Sequence, residues 1–357
     1  MKIKAWTVVQ PGEPMVPMER EQTPGAGEVI VRVAGCGVCH TDLGFFYEGV
    51  PTRHGFPLAL GHEISGEVVE AGEGAEEWLG RSVVVPAVIP CGTCAACREG
   101  KGTVCKKQIF PGNDVPGGFA THVCVPAHGL CPVPDLNDAV SNPAGVTLEE
   151  LSVVADAVST PYQAVHRSGL REGDLAVFVG VGGVGGFGVQ IAAARGAHVV
   201  AIDTNPERLE LMSRHGADLC LRADELDFKA LKGQVRTFAG ERGVPFFRHR
   251  IFETSGTPAG QVTAFGLVGP GAELSVVGFT PKKIEIRLSN LMAFDAVARG
   301  NWGCLPEHYP SALELVLQGR VALGPFVEKR SMATINETFE DLREHRVSRR
   351  VILIPES

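Results

Sequence analysis

Four cysteines crowd one short loop: Cys91, Cys94, Cys97 and Cys105, spaced C-x2-C-x2-C-x7-C. Three thiolates in one tight loop can wrap a single tetrahedral ion, and the fourth closes the shell. Zinc suits four sulfur ligands and needs no redox chemistry, although an iron–sulfur cluster uses similar spacings. Four buried, unligated thiols fit poorly with a loop as polar as CGTCAACREGKG. A closed site of this kind has no position for a substrate, so it predicts a lobe held together by metal.

A second set of donors is more dispersed. Cys39 lies in GCGVCHTD and His62 in GHE, each in a Gly-flanked turn at the end of a β segment. A soft thiolate and an imidazole can hold zinc while leaving a position for an alcohol. Taken singly, Cys39 reads as a small buried hydrophobe and His62 as a core or surface histidine.

A third feature is a glycine turn. Gly180, Gly182 and Gly185 form G-x-G-x-x-G, with Gly183 and Val184 inside it. The turn follows an apolar strand, Leu175–Val179, and opens a small-residue helix around Gln190–Arg195. A second strand, His198–Asp203, ends on an acid. This is the context a dinucleotide requires: a tight turn, close approach of the pyrophosphate to backbone, and a helix N-terminus to stabilise the phosphates. Asp203 would accept hydrogen bonds from the adenosine ribose and repel a 2′-phosphate, which favours NAD over NADP.

These groups need elements to position them. Residues 1 to about 157 read as mostly β, with short apolar segments such as Val29–Val33 and Glu67–Val69 between Gly and Pro turns. From about 158 to 300, strands alternate with helices, including Arg250–Glu253 and Glu273–Val277, which predicts a doubly wound parallel sheet. A helical run at Tyr309–Leu317 and short β segments near Met332–Ile335 and Arg350–Ile354 return to the first domain. The fold class is therefore α/β: a β-rich domain, 1–157 and 301–357, and a dinucleotide-binding domain, 158–300. Such a return would place an active site in the cleft between domains.

Whole-chain properties agree. The 357 residues suffice for two domains with real cores. A net charge of -8 argues against nucleic acid and acidic membrane surfaces as partners. The N-terminus does not read as a signal peptide and no apolar run reaches a bilayer span, which predicts a cytoplasmic address. In a reducing compartment the ten cysteines are better read as ligands or buried thiols than as disulfides.

GCGVCHTD, GHE, the four-cysteine loop and the later glycine motif occur in the order and at about the spacings of zinc-containing medium-chain dehydrogenases, so the chain resembles the alcohol dehydrogenases of that family over essentially its whole length. The resemblance implies a GroES-like catalytic domain with a Rossmann coenzyme domain, one structural and one catalytic zinc, and NAD. It implies that Cys39 and His62 bind the catalytic zinc, with Asp42 and Glu63 orienting and tuning it, and with Glu63 approaching the metal transiently. Asp156, in LSVVADAV, stands where many members carry the third ligand as cysteine. Its apolar neighbours support a ligand role, because a buried, unpaired Asp is costly. A carboxylate donates less charge than a thiolate, which leaves zinc more Lewis acidic. Thr41 would accept the substrate proton and pass it to the cofactor ribose. The histidine that continues this relay in well-studied members is replaced by Phe45, so the proton needs another exit, by water or by His54 or Tyr47. His40 and Arg350 would lie along the pyrophosphate, Arg208 on the adenosine ribose or a 2′-phosphate, and backbone groups of Val277 and Gly278 on the nicotinamide amide.

The implied reaction is oxidation of a secondary alcohol to a ketone. General likeness further points to a ring alcohol beside an alkene that carries a CoA thioester, an anionic partner for which Arg53, Lys282, Lys283 and Arg299 are scattered candidates. Phe45, Phe46, Tyr47, Phe56, Phe110 and Trp302 are candidates to line an apolar pocket, and Ala87 replaces something bulkier in many relatives. Alternatives are a polyol or simple secondary alcohol dehydrogenase, a zinc-dependent enoyl reductase, and a non-catalytic protein that kept the fold. The alternating segment Lys282–Leu288 would pair with its twin in a dimer or tetramer, or form an ordinary edge strand.

Overall fold

The computed structural model describes residues 1–356. The chain forms two compact units: Met1–Ser159 with Gly303–Gly319 and Leu323 onward, and Thr160–Trp302 with Arg320–Ala322.

The first unit is built on a mixed, mainly antiparallel sheet whose centre is the antiparallel pair Glu28–Gly37 and Glu63–Ala71, with Val327–Ser331 parallel to Arg350–Ile354. Ser82–Val85 and Cys131–Pro132 extend it on one side, and Arg350–Ile354 and Val327–Ser331 on the other, while His122–Pro126 also pairs with Glu28–Gly37. Alternation decides the core face. Val29, Val31 and Val33 point inward with Ile64, Val68, Val83 and Val85, and the sheet meets Met332, Ile335 and Phe339 there. The two ends of the central pair matter most. The turn after Gly37 carries Cys39, and the segment before Glu63 carries His62, so backbone pairing of Gly37 with Glu63 brings the two turns together.

Met332–Ile335 is not a β segment. Met332–Thr334 is a 3-10 turn that opens the helix Ile335–Arg343. The Ser331 side chain accepts from the Ala333 N–H, and Met332, Ile335 and Phe339 recur at helical spacing on the buried side. A window of four residues could not reveal that period.

The second unit is a parallel sheet in the order Leu219–Arg222, His198–Asp203, Leu175–Val179, His249–Glu253, Glu273–Val276, Val297–Gly300. Leu175–Val179 is buried at every residue, as expected for a strand covered on both faces. The chain order reverses between this strand and His249–Glu253, so the glycine turn after Val179 opens at the switch point where such sheets bind ligands. Lys282–Leu288 is not a strand. The edge is taken by Val297–Gly300 beside Glu273–Val276, so the alternating segment joins no ladder among the described residues and is largely exposed.

Candidate active site

Cys39 caps the N-terminus of the helix His40–Tyr47, where aligned peptide dipoles favour negative charge. Asp42, in the first turn, is fully buried. One carboxylate oxygen accepts the Cys39 N–H at 2.9 Å. The other accepts the Gly61 N–H at 3.1 Å and faces His62 Nδ1 at 3.3 Å. One carboxylate therefore ties both turns together and leaves His62 Nε2 pointing the other way.

Asp156 meets them from a third segment. It ends the 3-10 helix Glu150–Ala155, leaving it with φ -142 and ψ -58. Its Oδ2 lies 3.6 Å from Cys39 Sγ and 3.5 Å from His62 Nε2. A tetrahedral zinc with sulfur, nitrogen and oxygen ligands at 2.3, 2.0–2.1 and 2.0–2.2 Å has S···O and N···O edges of about 3.6 and 3.4 Å. The donor set thus fits zinc in spacing as well as in chemistry. Burial alone lowers the His62 pKa, but Asp42 and Asp156 outweigh it and hold the imidazole well above its ordinary value. This set of acids is arranged around positive charge.

Glu63 belongs to the same cluster, with donor atoms of all four residues within 4.8 Å of one another. Both of its oxygens, however, are taken by Arg350: Nε at 3.0 Å and Nη2 closer still. The Arg350 side chain is almost wholly buried, and although burial works against its charge, Glu63 holds its pKa well above the usual value. Arg350 pairs with Glu63 and stands 4.0 Å from Asp156. The sequence could not show this pairing, because the two residues lie 287 positions apart.

The remaining sequence candidates divide. Thr41 Oγ1 lies 3.7 Å from Cys39 Sγ, on the ligand side of the turn. Phe110 is tilted over the His62 ring, centroids 4.8 Å apart. Phe45 and Phe46 belong to the hydrophobic core, and Tyr47 packs against it under Arg343. His54 is exposed, with Nδ1 on the Gly55 carbonyl at 3.1 Å. Trp302 is half exposed, in the second unit.

In the other cluster, Cys91, Cys94, Cys97 and Cys105 are free thiols with sulfur separations of 3.4 to 3.9 Å. A tetrahedron with Zn–S near 2.3 Å has edges of about 3.8 Å. Cys105 Sγ accepts N–H bonds from Cys91 and Lys107. The Thr93 N–H and hydroxyl bring the Cys91 thiol down to about 6, whereas burial and the Cys94 hydrogen bond push Cys97 up to about 12. Four thiolates coexist here only around a cation.

The glycine turn has the expected form. Gly180 has φ +88, and a Cβ there would lie 2.5 Å from Ser255. A Cβ on Gly185 would lie 1.9 Å from the Gly180 carbonyl. Beyond Gly183 and Val184 the helix Gly185–Ala194 begins. Asp203 is buried, and its carboxylate accepts the N–H groups of Val181, Thr204 and Asn205 at 2.8 to 2.9 Å. Arg208 reaches back over the turn, with Nη1 3.6 Å from where a Gly182 Cβ would stand. Its Nε is buried without a partner, an orphan donor that suits an oxygen-rich ligand. The Val277 and Gly278 N–H groups are spent on the Glu253 carbonyl at 2.9 and 3.0 Å, which leaves their carbonyls for any ligand contact. His40 is exposed at the start of its helix.

Comparison with known proteins agrees with this architecture. Residues 25–135 match the alcohol dehydrogenase GroES-like domain, and residues 183–318 match the zinc-binding dehydrogenase domain. The chain is 31% identical to an alcohol dehydrogenase of Geobacillus stearothermophilus over 92% of its length and 91% of that protein. It is 30% identical to the L-threonine 3-dehydrogenase of Pyrococcus abyssi, over 93% and 92% of the two chains. The crystal structure of the alcohol dehydrogenase from Aeropyrum pernix superimposes with a TM-score of 0.85 at 29% identity, covering 99% of this chain and 100% of that one.

Proposed function

Since the chain belongs to the zinc-binding alcohol dehydrogenase family of nicotinamide-linked oxidoreductases acting on CH–OH groups, we propose that it oxidises a secondary alcohol to a ketone with NAD, around a zinc held by Cys39, His62 and Asp156. The observation that carries this reading is the meeting of a cysteine sulfur, an imidazole and a carboxylate, with the Asp156 oxygen at tetrahedral edge lengths from both of the other donors. The overall reaction converts the secondary alcohol and NAD⁺ to the ketone, NADH and a proton. When bound, zinc supplies Lewis acidity that favours loss of the hydroxyl proton, and the dinucleotide accepts the hydride. Asp42 fixes the Cys39 turn and the His62 ring. Thr41 Oγ1, beside Cys39, would accept the hydroxyl proton as it passes its own proton on to the cofactor ribose. Glu63 holds Arg350 and stays out of the ligand set. Cys91, Cys94, Cys97 and Cys105 hold a structural zinc. Asp203 and Arg208 would hold the adenosine ribose of the dinucleotide, and the Asp203 charge would disfavour a 2′-phosphate.

For the alcohol, we propose 6-hydroxycyclohex-1-ene-1-carbonyl-CoA, oxidised to the conjugated 6-oxo ketone in anaerobic benzoyl-CoA breakdown, in the cytoplasm. The small Ala87 supports room for a ring alcohol. A specific observation favours a second reading, a simple secondary alcohol or polyol. Of the four cations considered for CoA phosphates, Arg53 is paired with Asp114 at 3.1 Å and Arg299 with Glu273 at 3.2 Å. Turnover of the CoA thioester and of the free cyclohexenol decides between them. Preference for the thioester supports the first, and equal turnover overturns it. A homo-oligomer is also proposed, because the edge strand Val297–Gly300 and exposed Phe279, Leu288 and Met292 lie on the second unit. Sedimentation as a monomer would overturn that.

A further inference from the structure

We infer that Tyr309 is a positioning residue for the catalytic metal, acting through the Ala155 carbonyl that precedes Asp156. This rests on the reading of Asp156 as a zinc ligand. Tyr309 opens the helix Tyr309–Leu317 and is wholly buried. Its hydroxyl donates to the Ala155 carbonyl at 2.5 Å and accepts the Ala87 N–H at 3.2 Å. The same carbonyl accepts from Ser159 Oγ at 3.1 Å and from the Ala87 N–H at 3.4 Å. Three donors from three segments therefore converge on the one peptide oxygen next to Asp156.

That convergence has a structural reason. Asp156 leaves its 3-10 helix with non-helical dihedrals, so helix hydrogen bonding does not set its direction. Without the phenol, the carbonyl before it would keep only the longer contacts from Ser159 Oγ and the Ala87 N–H. The phenol hydroxyl, on a side chain with few rotatable bonds, fixes the Ala155–Asp156 peptide plane and with it the start of the Asp156 side chain. A displacement of the carboxylate by a few tenths of an ångström would spoil the 3.6 and 3.5 Å spacings to Cys39 and His62. The residues that orient metal ligands commonly change metal affinity when removed, and Tyr309 does so from 154 positions away in sequence.

The test uses the full-length protein stripped of metal with a chelator and titrated with cobalt(II), whose visible absorption reports ligand number and geometry. Tyr309→Phe keeps the ring and removes only the hydroxyl. It should weaken cobalt at the Cys39 set by about 10- to 100-fold and alter its ligand-field bands. The four-thiol site should retain its affinity and spectrum as an internal control. With zinc restored to saturation, kcat should recover more than the apparent metal affinity does. Ser159→Ala, which removes a second donor from the same carbonyl, should shift affinity in the same direction by less, and it carries the test should Tyr309→Phe fail to fold. Unchanged affinity and bands in both variants overturn the inference, provided Asp156→Ala weakens the site. If Asp156→Ala itself leaves cobalt binding unchanged, the ligand reading falls, and the Tyr309 inference with it.

Discussion

The four-thiol loop and the Cys39 set differ in how far along the chain their donors are gathered. Cys91, Cys94, Cys97 and Cys105 come from one loop, three of them only half-buried. Cys39, His62 and Asp156 come from three segments, and Cys39 and His62 are buried. The loop needs little beyond its own turns and the N–H groups that point at Cys105. The dispersed set needs the pairing of Gly37 with Glu63, the Asp42 bridge and the anchoring of Ala155. A closed local site can be a staple. A site that must leave a position open requires a scaffold that holds each ligand independently.

Substitutions at the two clusters should therefore fail in different ways. The largest effect on activity belongs to Asp156→Ala. Loss of several kcal/mol of Lewis-acid stabilisation corresponds to about a 10³-fold fall in turnover, measured as NAD reduction, with little change in unfolding temperature. If activity falls less than tenfold, Asp156 is not a ligand. Cys105→Ser reverses the pattern: the lobe loses its zinc and several degrees of thermal stability, while the Cys39 set still binds cobalt. Retention of the lobe metal and unchanged melting would break the comparison.

Next in size is Asp203→Ala. Hydrogen bonds to a charged group contribute about 1.5–3 kcal/mol, so the apparent affinity for NAD should fall by about 10- to 150-fold. Discrimination against NADP should fall with it, as a fluorescence titration with both cofactors would show. An unaltered NAD affinity would remove Asp203 from the ribose site.

The pH dependence gives the smallest effect. The metal-free His62 has its pKa held above the ordinary value by Asp42 and Asp156. Protons therefore compete with metal from a higher pH than for a free imidazole. Below that pKa, affinity at the Cys39 set should drop by up to about tenfold per pH unit for this one proton. Competition with a chromophoric chelator at a series of pH values reads this slope. A flat profile down to pH 5 would contradict the raised pKa.

Legibility in the sequence followed the same division. The four-thiol loop was readable because its chemistry is contiguous. Leu175–Val179, His198–Asp203, Tyr309–Leu317 and Arg350–Ile354 have the expected limits, since each is an apolar run with clear boundaries. Lys282–Leu288 forms no edge strand within the chain, because alternation predicts a strand without saying which neighbour it pairs with. Phe45 and Phe46 read equally as pocket lining or core, and they lie in the core; an aromatic near a motif looks the same in either place. The Arg350–Glu63 pair and the Tyr309 hydroxyl had no local signal at all. Their partners are fixed only when distant strands and helices pack, and no periodicity encodes a contact between single side chains so far apart.

The most direct test of the two-site account is zinc content per chain in the native protein and in Cys39→Ser, measured on samples of equal fold by circular dichroism. About two zinc ions are expected in the native chain, one for each donor set, and about one in the variant, with its four-thiol cobalt spectrum intact and no NAD reduction. Two zinc ions in Cys39→Ser, or loss of both, would contradict it.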